Sequence, residues 1–376
     1  MANTFNNTTF CNFVTLQRGF DLPKQDREPG VFPVVASTSV QGYHTEYKVK
    51  PPGVVTGRSG SLGLVQYLEK PFWPLNTTLW VKDFKGNAPK FVYYFLQTLG
   101  LERYNSGAGV PTLNRNHLDG LDVAIPPLST QQKIAAILSA YDDLIENNLW
   151  RIKILEEMAQ NLYREWFVKF RFPGHQHARF VDSSLGRIPE GWEIVTVEQI
   201  VERVPSGKKY DQKTVSATGT VPVLDQGRSG IIGYHDDDPG VLASEDSPII
   251  VFANHTCYQR FVMFPFSAIQ NVLPFVPCSE YPRNIYWLHY ATKDLVTFND
   301  YKGHWPEFMA KELILPSSNT CEQFGLFVEP VTRLIYKTEK KNETLRHTRD
   351  LLLPRLISGE VDVSALDIAV PEEAIA

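Results

Sequence analysis

The chain has 376 residues, 43% hydrophobic and 21% charged, with 37 Lys and Arg against 42 Asp and Glu for a net charge of −5. That composition excludes a disordered or collagen-like chain, and the length exceeds one core of usual size, so two or more units are expected. The acidic balance excludes a protein that coats nucleic acid or anionic membrane by charge alone.

The opening segment MANTFNNTTF lacks the basic-then-apolar pattern of a secretory signal. No apolar run approaches the roughly 18 residues of a membrane span, so no membrane association is expected. The four cysteines, Cys11, Cys257, Cys278 and Cys321, form no C-x-x-C pair. Free thiols and a reducing, cytoplasmic setting are expected.

Residues 1–128 form the first segment, rich in Val, Ile, Phe, Tyr, Gly and Pro in short runs such as Gly53-Val54-Val55-Thr56-Gly57. Such runs, punctuated by turn residues, predict short strands of an α+β domain, with one helix at Lys90–Leu99. After Pro126-Pro127 the texture changes. Ser129 and Gln132 have the spacing of a capping box, which predicts a helix start. Apolar residues then recur at Ile134, Leu138, Tyr141, Ile145, Leu149, Ile152, Leu155, Met158, Leu162 and Trp166. Steps of three and four sustained that far predict a long spacer helix over 129–168 with a coiled-coil seam.

A polar linker, 169–191, leads to a second globular segment, 192–316, which repeats the first. Pro33-Val34-Val35 returns as Pro222-Val223-Leu224, and Gly42-Tyr43-His44 as Gly233-Tyr234-His235. Pro89 with its helix returns at Pro282, giving a helix near Arg283–Tyr290, and Val123-Ala124-Ile125-Pro126 returns as Leu313-Ile314-Leu315-Pro316. Four ordered matches at nearly constant offset mark a tandem duplication, too long in period for a solenoid. The second long helix, 317–358, carries Phe324, Val328, Val331, Ile335, Leu345 and Leu352, with Thr338 and Asn342 near its seam. Pro330 predicts a kink, and Asn342 faces either the seam or water. A tail, 359–376, follows.

The linker is too short to run back along a helix of that length, so the helices are expected to pair antiparallel. The architecture so read is α+β: two tandem globular domains separated by a pair of long antiparallel coiled-coil helices, pseudo-two-fold symmetric. No phosphate-cradling Gly-rich loop, methyltransferase motif or nucleophile elbow is present. His175 and His177 read as a solvated linker pair and Asp236-Asp237-Asp238 as a charged turn, so no metal site and no catalytic residue are expected.

Several motifs carry a family resemblance: Arg18-Gly19-Phe20-Asp21-Leu22-Pro23, Gly53–Gly60, Phe72-Trp73-Pro74-Leu75-Asn76-Thr77-Thr78-Leu79 and Val110-Pro111-Thr112-Leu113-Asn114-Arg115-Asn116. Ile125-Pro126-Pro127-Leu128 before Gln131-Gln132, Ser184–Trp192 and Leu356-Ile357-Ser358-Gly359-Glu360-Val361 extend it over nearly the full length. With these the chain resembles the specificity subunit of type I restriction–modification systems. The resemblance implies a non-catalytic subunit whose two globular target-recognition domains each read one half of a bipartite, asymmetric site in double-stranded DNA. It implies that the helices space those domains and dock two methyltransferase subunits, with restriction subunits joining the core. S-adenosylmethionine, ATP and Mg are then cofactors of the partners, not of this chain. A related methyltransferase–nuclease system, or a scaffold whose modules bind proteins, are the alternatives.

Under that reading Arg, Lys, Asn, Ser and Thr on loops are the candidate DNA contacts. In the first domain these are Arg18, Arg58, Ser59, Asn76, Thr77, Thr78, Asn114, Arg115 and Asn116. In the second they are Lys208, Lys209, Arg228, Asn254, His255, Tyr258, Arg260 and Lys302. Tyr141, Leu144, Trp150, Tyr163 and Phe167 lie off the main seam and are expected to face partner subunits. Residues 1–128 carry 12 basic and 9 acidic groups, whereas residues 192–316 carry 10 and 15. By charge alone the second domain is a poor DNA binder, so the chain is expected to depend on partners to close around DNA.

Overall fold

In the computed structural model, which describes residues 5–371 except Ala108, Arg228, Ser229, Asn299 and Tyr301, two units emerge that each draw on both long helices. Unit 1 is Met1–Asn147 with Lys341–Ala376, and unit 2 is Asn148–Lys340. The divisions fall inside the helices and not at the ends of the globular segments.

Unit 1 begins with β1 (Asn6–Thr9), α1 (Phe10–Phe13), β2 (Thr15–Arg18), β3 (Phe32–Val35), β4 (Val40–His44) and β5 (Gly53–Gly57). It continues with β6 (Val65–Leu68), β7 (Trp73–Pro74), β8 (Thr78–Asp83), α2 (Pro89–Thr98), α3 (Asn116–Asp119) and β9 (Asp122–Ile125), and the chain then enters α4 (Leu128–Tyr163). The strands form an antiparallel sheet in the order β2-β8-β5-β6, a smaller sheet β4-β3-β7, and the pair β1-β9.

A hairpin of β10 (Phe180–Ser183) and β11 (Gly186–Pro189) precedes β12 (Glu193–Thr196), α5 (Val197–Ile200), β13 (Val201–Arg203), β14 (Val221–Leu224) and β15 (Ile231–His235). Then come β16 (Ile249–Ala253), β17 (Gln259–Val262), β18 (Ser267–Ala268), β19 (Val272–Pro277), α6 (Ile285–Thr292), α7 (Trp305–Met309), β20 (Glu312–Leu315) and α8 (Ser318–Ile357). Unit 2 repeats the sheet orders as β13-β19-β16-β17, β15-β14-β18 and β12-β20. The parallel contact recurs in register. Val34 and Val35 face Trp73 and Pro74, as Val223 and Leu224 face Ser267 and Ala268. The duplication read from the PVV and GYH runs is therefore a duplication of topology.

Buried residues recur every seven positions on α4 at Leu138, Ile145, Ile152 and Ala159, and again at Trp166 in the π-helical turn Arg164–Val168 that follows. That is the repeat of a coiled coil. Leu149 and Met158, expected in the seam, are about half exposed and leave it. Within unit 1 the two helices run antiparallel: Lys133 donates to the carbonyls of Ser364 and Leu366, Asp142 holds Arg349, and Asn342 Nδ2 donates to Ile145 O at 3.4 Å. Asn342 is 1% exposed, so it faces the seam and not water. Helix α8 runs unbroken through Pro330.

The start of α4 also differs from the sequence reading. The helix opens at Leu128, ahead of Ser129, and Gln131, not Gln132, secures it. Gln131 is buried, accepts from Ala88 N at 3.0 Å, and donates to Asn87 Oδ1 and Pro126 O at 2.8 and 2.9 Å. Asn87 in turn donates to Phe13 O at 2.8 Å. One amide thereby locks α4 to α2 and α1. The segment 169–191 is likewise more than a linker, since Phe170, Phe172 and Ile188 pack into the core of unit 2. Its counterpart after α8 does the same in unit 1 through Val361, Val363 and Ile368. All four cysteines are free thiols. No helix among the described residues is long and apolar enough to cross a membrane.

His289 lies inside unit 2, where Gln259 Nε2 reaches its Nδ1 at 3.2 Å and its carbonyl at 2.8 Å. Burial pushes its imidazole down to about 3, with a smaller push from Lys293. Between that value and the ordinary one near 6.5, the unfolded chain takes up a proton that the folded chain refuses. Stability from this group is present above about pH 6.5 and is lost as pH falls, by up to about 1.4 kcal/mol per pH unit. Acid titration of unfolding should therefore show a shallower loss between pH 6 and pH 4 for His289→Gln than for the wild-type chain. Equal slopes would refute this assignment.

Candidate nucleic-acid interface

Strand β5 is buried throughout and ends in a turn that the rest of unit 1 grips on three sides. The N–H groups of Arg58 and Ser59 both donate to Thr77 O, at 2.8 and 3.0 Å, and Gly60 N donates to Pro111 O at 2.9 Å. Arg58 O accepts from Leu113 N at 2.8 Å. Glycine is required twice here. A Cβ on Gly57 would lie 1.8 Å from Ser61 O, and Gly60 has φ +90°.

This platform lies beside the ends of β2 and α3. Gln17 and Arg18 from β2, Arg58 from the turn, and Ser106, Thr112, Asn114 and Arg115 from the segment before α3 line one cleft of about 540 Å³. Arg58 Nη1 donates to Asn76 O at 3.3 Å and Arg115 Nη1 to Leu16 O at 3.2 Å. Among the described residues none of the three arginines makes an ion pair, and no carboxylate lines the cleft. A cleft of this kind holds uncompensated positive charge on rigid elements, which suits a polyanion.

Of the sequence-predicted residues in unit 1, the structure brings Arg18, Arg58, Asn114 and Arg115 together and places Ser59 and the exposed Asn116 beside them. The other three support the cleft. Asn76 binds Asp21 through its side chain and offers its carbonyl to Arg58. Thr77 turns its hydroxyl inward and its carbonyl to the turn. Thr78 is 0% exposed and donates to Leu75 O at 2.7 Å, so it cannot reach a ligand. The sequence reading of Asn76-Thr77-Thr78 as a contact is corrected to a structural role for Thr78.

In unit 2 the corresponding ground is built differently. Asn254 and His255 follow β16 as Arg58 and Ser59 follow β5. Asn254 Oδ1 accepts from Trp305 N at 2.8 Å, and its carbonyl takes His304 N at 2.9 Å, so much of its capacity is committed to the fold. His255 Nδ1 meets the carbonyl of Lys302 at 2.9 Å. Tyr258 sits in the turn before β17, where its carbonyl accepts from Ala253 N at 2.8 Å.

The cations of this unit are unequal. Lys208 pairs with Asp237 at 2.7 Å, and that bond raises its pKa. Arg260 donates to Gly230 O at 3.1 Å and is largely buried, which lowers its pKa. Lys209 bonds Ser206 and is pushed down by burial and then by the neighbouring Arg203. Arg228 lies outside the described residues. Arg203, absent from the sequence reading, ends β13 with its guanidinium 5.3 Å from the Trp305 ring. Its position at the end of the strand that repeats β2 was the signal available for it. The Asp236-Asp237-Asp238 run is a charged turn, and no group among the described residues is placed to hold a metal.

Two of the expected partner-facing residues are internal. Tyr163 and Phe167 pack in the core of unit 2, with ring centroids 6.1 and 5.2 Å from Phe324. Burial pushes the Tyr163 phenol far above its ordinary value. Tyr141 is half-buried, while Leu144 and Trp150 are about half exposed. Ile154 and Met158 continue the outward stripe of Trp150 at helical spacing; Met158 was read into the seam, and Ile154 was not singled out.

Comparison with known proteins agrees with this architecture. Residues 4–157 match the family described as "Type I restriction modification DNA specificity domain". The specificity subunit of the type I restriction enzyme MjaIX of Methanocaldococcus jannaschii is 26% identical over 308 residues, which are 75% of this chain and 71% of that protein. The MjaVIII specificity subunit of the same organism is 32% identical over 110 residues, 29% of this chain and 25% of the relative. Among solved structures, the S subunit of a type I restriction–modification system from M. genitalium aligns over 95% of this chain and 97% of its own, with TM-score 0.61 and 18% identity. At that identity the likeness speaks to the fold.

Proposed function

This chain belongs to the DNA specificity subunits of type I restriction–modification systems, and from that premise we propose that each of its units reads one half of a bipartite, asymmetric site in double-stranded DNA. The observation that carries the proposal is the arginine cleft of unit 1, an uncompensated cationic surface on rigid strand ends. Direct reading needs donors fixed in place, and phosphate contacts need charge. The cleft supplies both. Unit 2 has the same topology with different groups at the same ends, which makes the target asymmetric.

In unit 2, helix α4 keeps Trp150, Ile154 and Met158 outward, and this exposed apolar stripe supports docking of two methyltransferase subunits, to which restriction subunits are added. S-adenosylmethionine, ATP and Mg belong to those partners, and the assembled complex works on DNA in the cytoplasm. This chain contributes recognition and no bond-breaking step.

The test is module exchange. Replacing residues 14–128 by those of another such subunit, in the complex reconstituted with its methyltransferase subunits, should change one half of the methylated sequence and leave the other intact. Change in both halves or in neither would overturn the two-reader arrangement.

A further inference from the structure

We infer that unit 1 reads guanine in its half of the site, one base for each of the forked guanidinium groups of Arg58 and Arg115, while Arg18 holds phosphate. The inference rests on the DNA-reading role proposed above and names what one cleft recognises. Its basis is how the three arginines are held and what the other side chains leave free.

Arg58 and Arg115 are each tethered by one N–H to a main-chain carbonyl, Asn76 O and Leu16 O. A guanidinium has five N–H donors in a fixed fork, so one tether orients the plane and leaves the remaining donors for a ligand. The main chain under Arg58 is itself gripped by Thr77, Pro111 and Leu113. Arg18 is exposed and has no side-chain bond among the described residues. Ordered donors suit base edges, whereas a loose charge suits phosphate, which asks for little direction.

The charged capacity of the cleft is all donor, while Gln17 and the hydroxyl oxygens of Ser106 and Thr112 are its neutral acceptors. Ser106 Oγ and Thr112 Oγ1 spend their protons on Thr112 O and Val110 O, both at 3.0 Å. Asn114 Oδ1 is taken by Asn116 N at 3.1 Å, which leaves its amide N–H groups. With no carboxylate present, the charged groups can only donate. In the major groove, adenine and cytosine each present a donor and thymine a single acceptor beside a methyl group. Guanine presents two adjacent acceptors, O6 and N7, and matches the fork. In unit 2 the equivalent position is Asn254, whose amide oxygen is already bound to Trp305 N. The guanine assignment is therefore confined to unit 1.

The experiment uses the complex with its methyltransferase subunits, on duplexes carrying the site mapped by methylation sequencing. Arg58→Lys and Arg115→Lys keep the charge and remove the fork. Each should slow methylation about tenfold and relax the preference at one G·C pair in the half that follows residues 14–128 on exchange. The slope of binding against salt should stay at the wild-type value. With the wild-type chain, 7-deazaguanine at that pair, which lacks N7, should give a similar loss and needs no variant to fold. Lysine variants with wild-type rate and base preference would assign both arginines to phosphate and overturn the inference. A mapped unit-1 half without a G·C pair would overturn it too. Neither outcome touches the two-reader arrangement, which falls if the complex methylates without sequence preference or if exchange changes both halves or neither.

Discussion

Phe324→Ala is expected to destabilise unit 2 by about 3–5 kcal/mol. The side chain is 0% exposed and is surrounded by rings from two parts of the chain. Tyr163, Trp166 and Phe167 approach from the end of α4 at centroid distances of 6.1, 6.0 and 5.2 Å, and Tyr290 approaches from α6 at 6.0 Å. Truncation removes the ring's transfer energy and its edge-to-face contacts, and it leaves a cavity that four rigid neighbours cannot close. Urea unfolding followed by tryptophan fluorescence reports on the event, because Trp166, Trp192 and Trp287 lie in the same core. The chain has two units, so the readout is the midpoint of the unit-2 transition and not a single global free energy. Phe324→Leu should recover more than half of the loss. An unchanged midpoint for the alanine variant would contradict this packing.

Gly57→Ala is expected to cut methylation of the cognate site by about 100-fold in the reconstituted complex with little change in overall fold. The new Cβ would lie 1.8 Å from Ser61 O and 3.3 Å from Ser37 Cβ, so main chain must move. Strand β5 is paired on both edges, to β6 and β8, and cannot yield. The displacement therefore passes into the turn that carries Arg58. A shift of about 1 Å in a positioned group costs on the order of 100-fold. Circular dichroism and the melting temperature separate this effect from unfolding, since local overpacking costs only about 1–3 kcal/mol. Wild-type methylation by Gly57→Ala would show that the turn does not position the reading groups.

What the sequence made legible was whatever repeats or alternates. The PVV and GYH runs located β3, β4 and their copies because strand pairing demands apolar residues at fixed spacing, and the duplication placed them twice. The heptad of α4 was legible through Leu138, Ile145, Ile152 and Trp166, but the edges of its buried face were not, and Leu149 and Met158 fell outside it. Leu149 and Met158 fit the apolar steps as well as Ile145 and Ile152 do, and only packing decides which of them is covered. For the same reason Tyr163 and Phe167 looked free. At the site, Arg58 and Arg115 were visible as charges in loops, whereas the roles of Thr77 and Thr78 depend on which way a strand edge points. Gln131 is the clearest illegible residue: its bonds reach Asn87 and Ala88, about forty positions away in sequence, and no local pattern announces them.

The register of the two units also records a history. Asn6 and Glu193 occupy the same place in β1 and β12, 187 positions apart, and Ile125 and Leu315 close those pairs 190 apart. Between them the spacing widens, to 196 from Gly57 to Ala253, and then contracts to 194 from Thr78 to Val272. The surplus residues were therefore inserted in loops and nearly cancelled before the chain returned to its long helix. The two copies keep nearly matched spacing at their entrances and exits and differ most in the loops between them. A lineage built this way can acquire a new half-target by recombination within one copy, with nothing to readjust in the other.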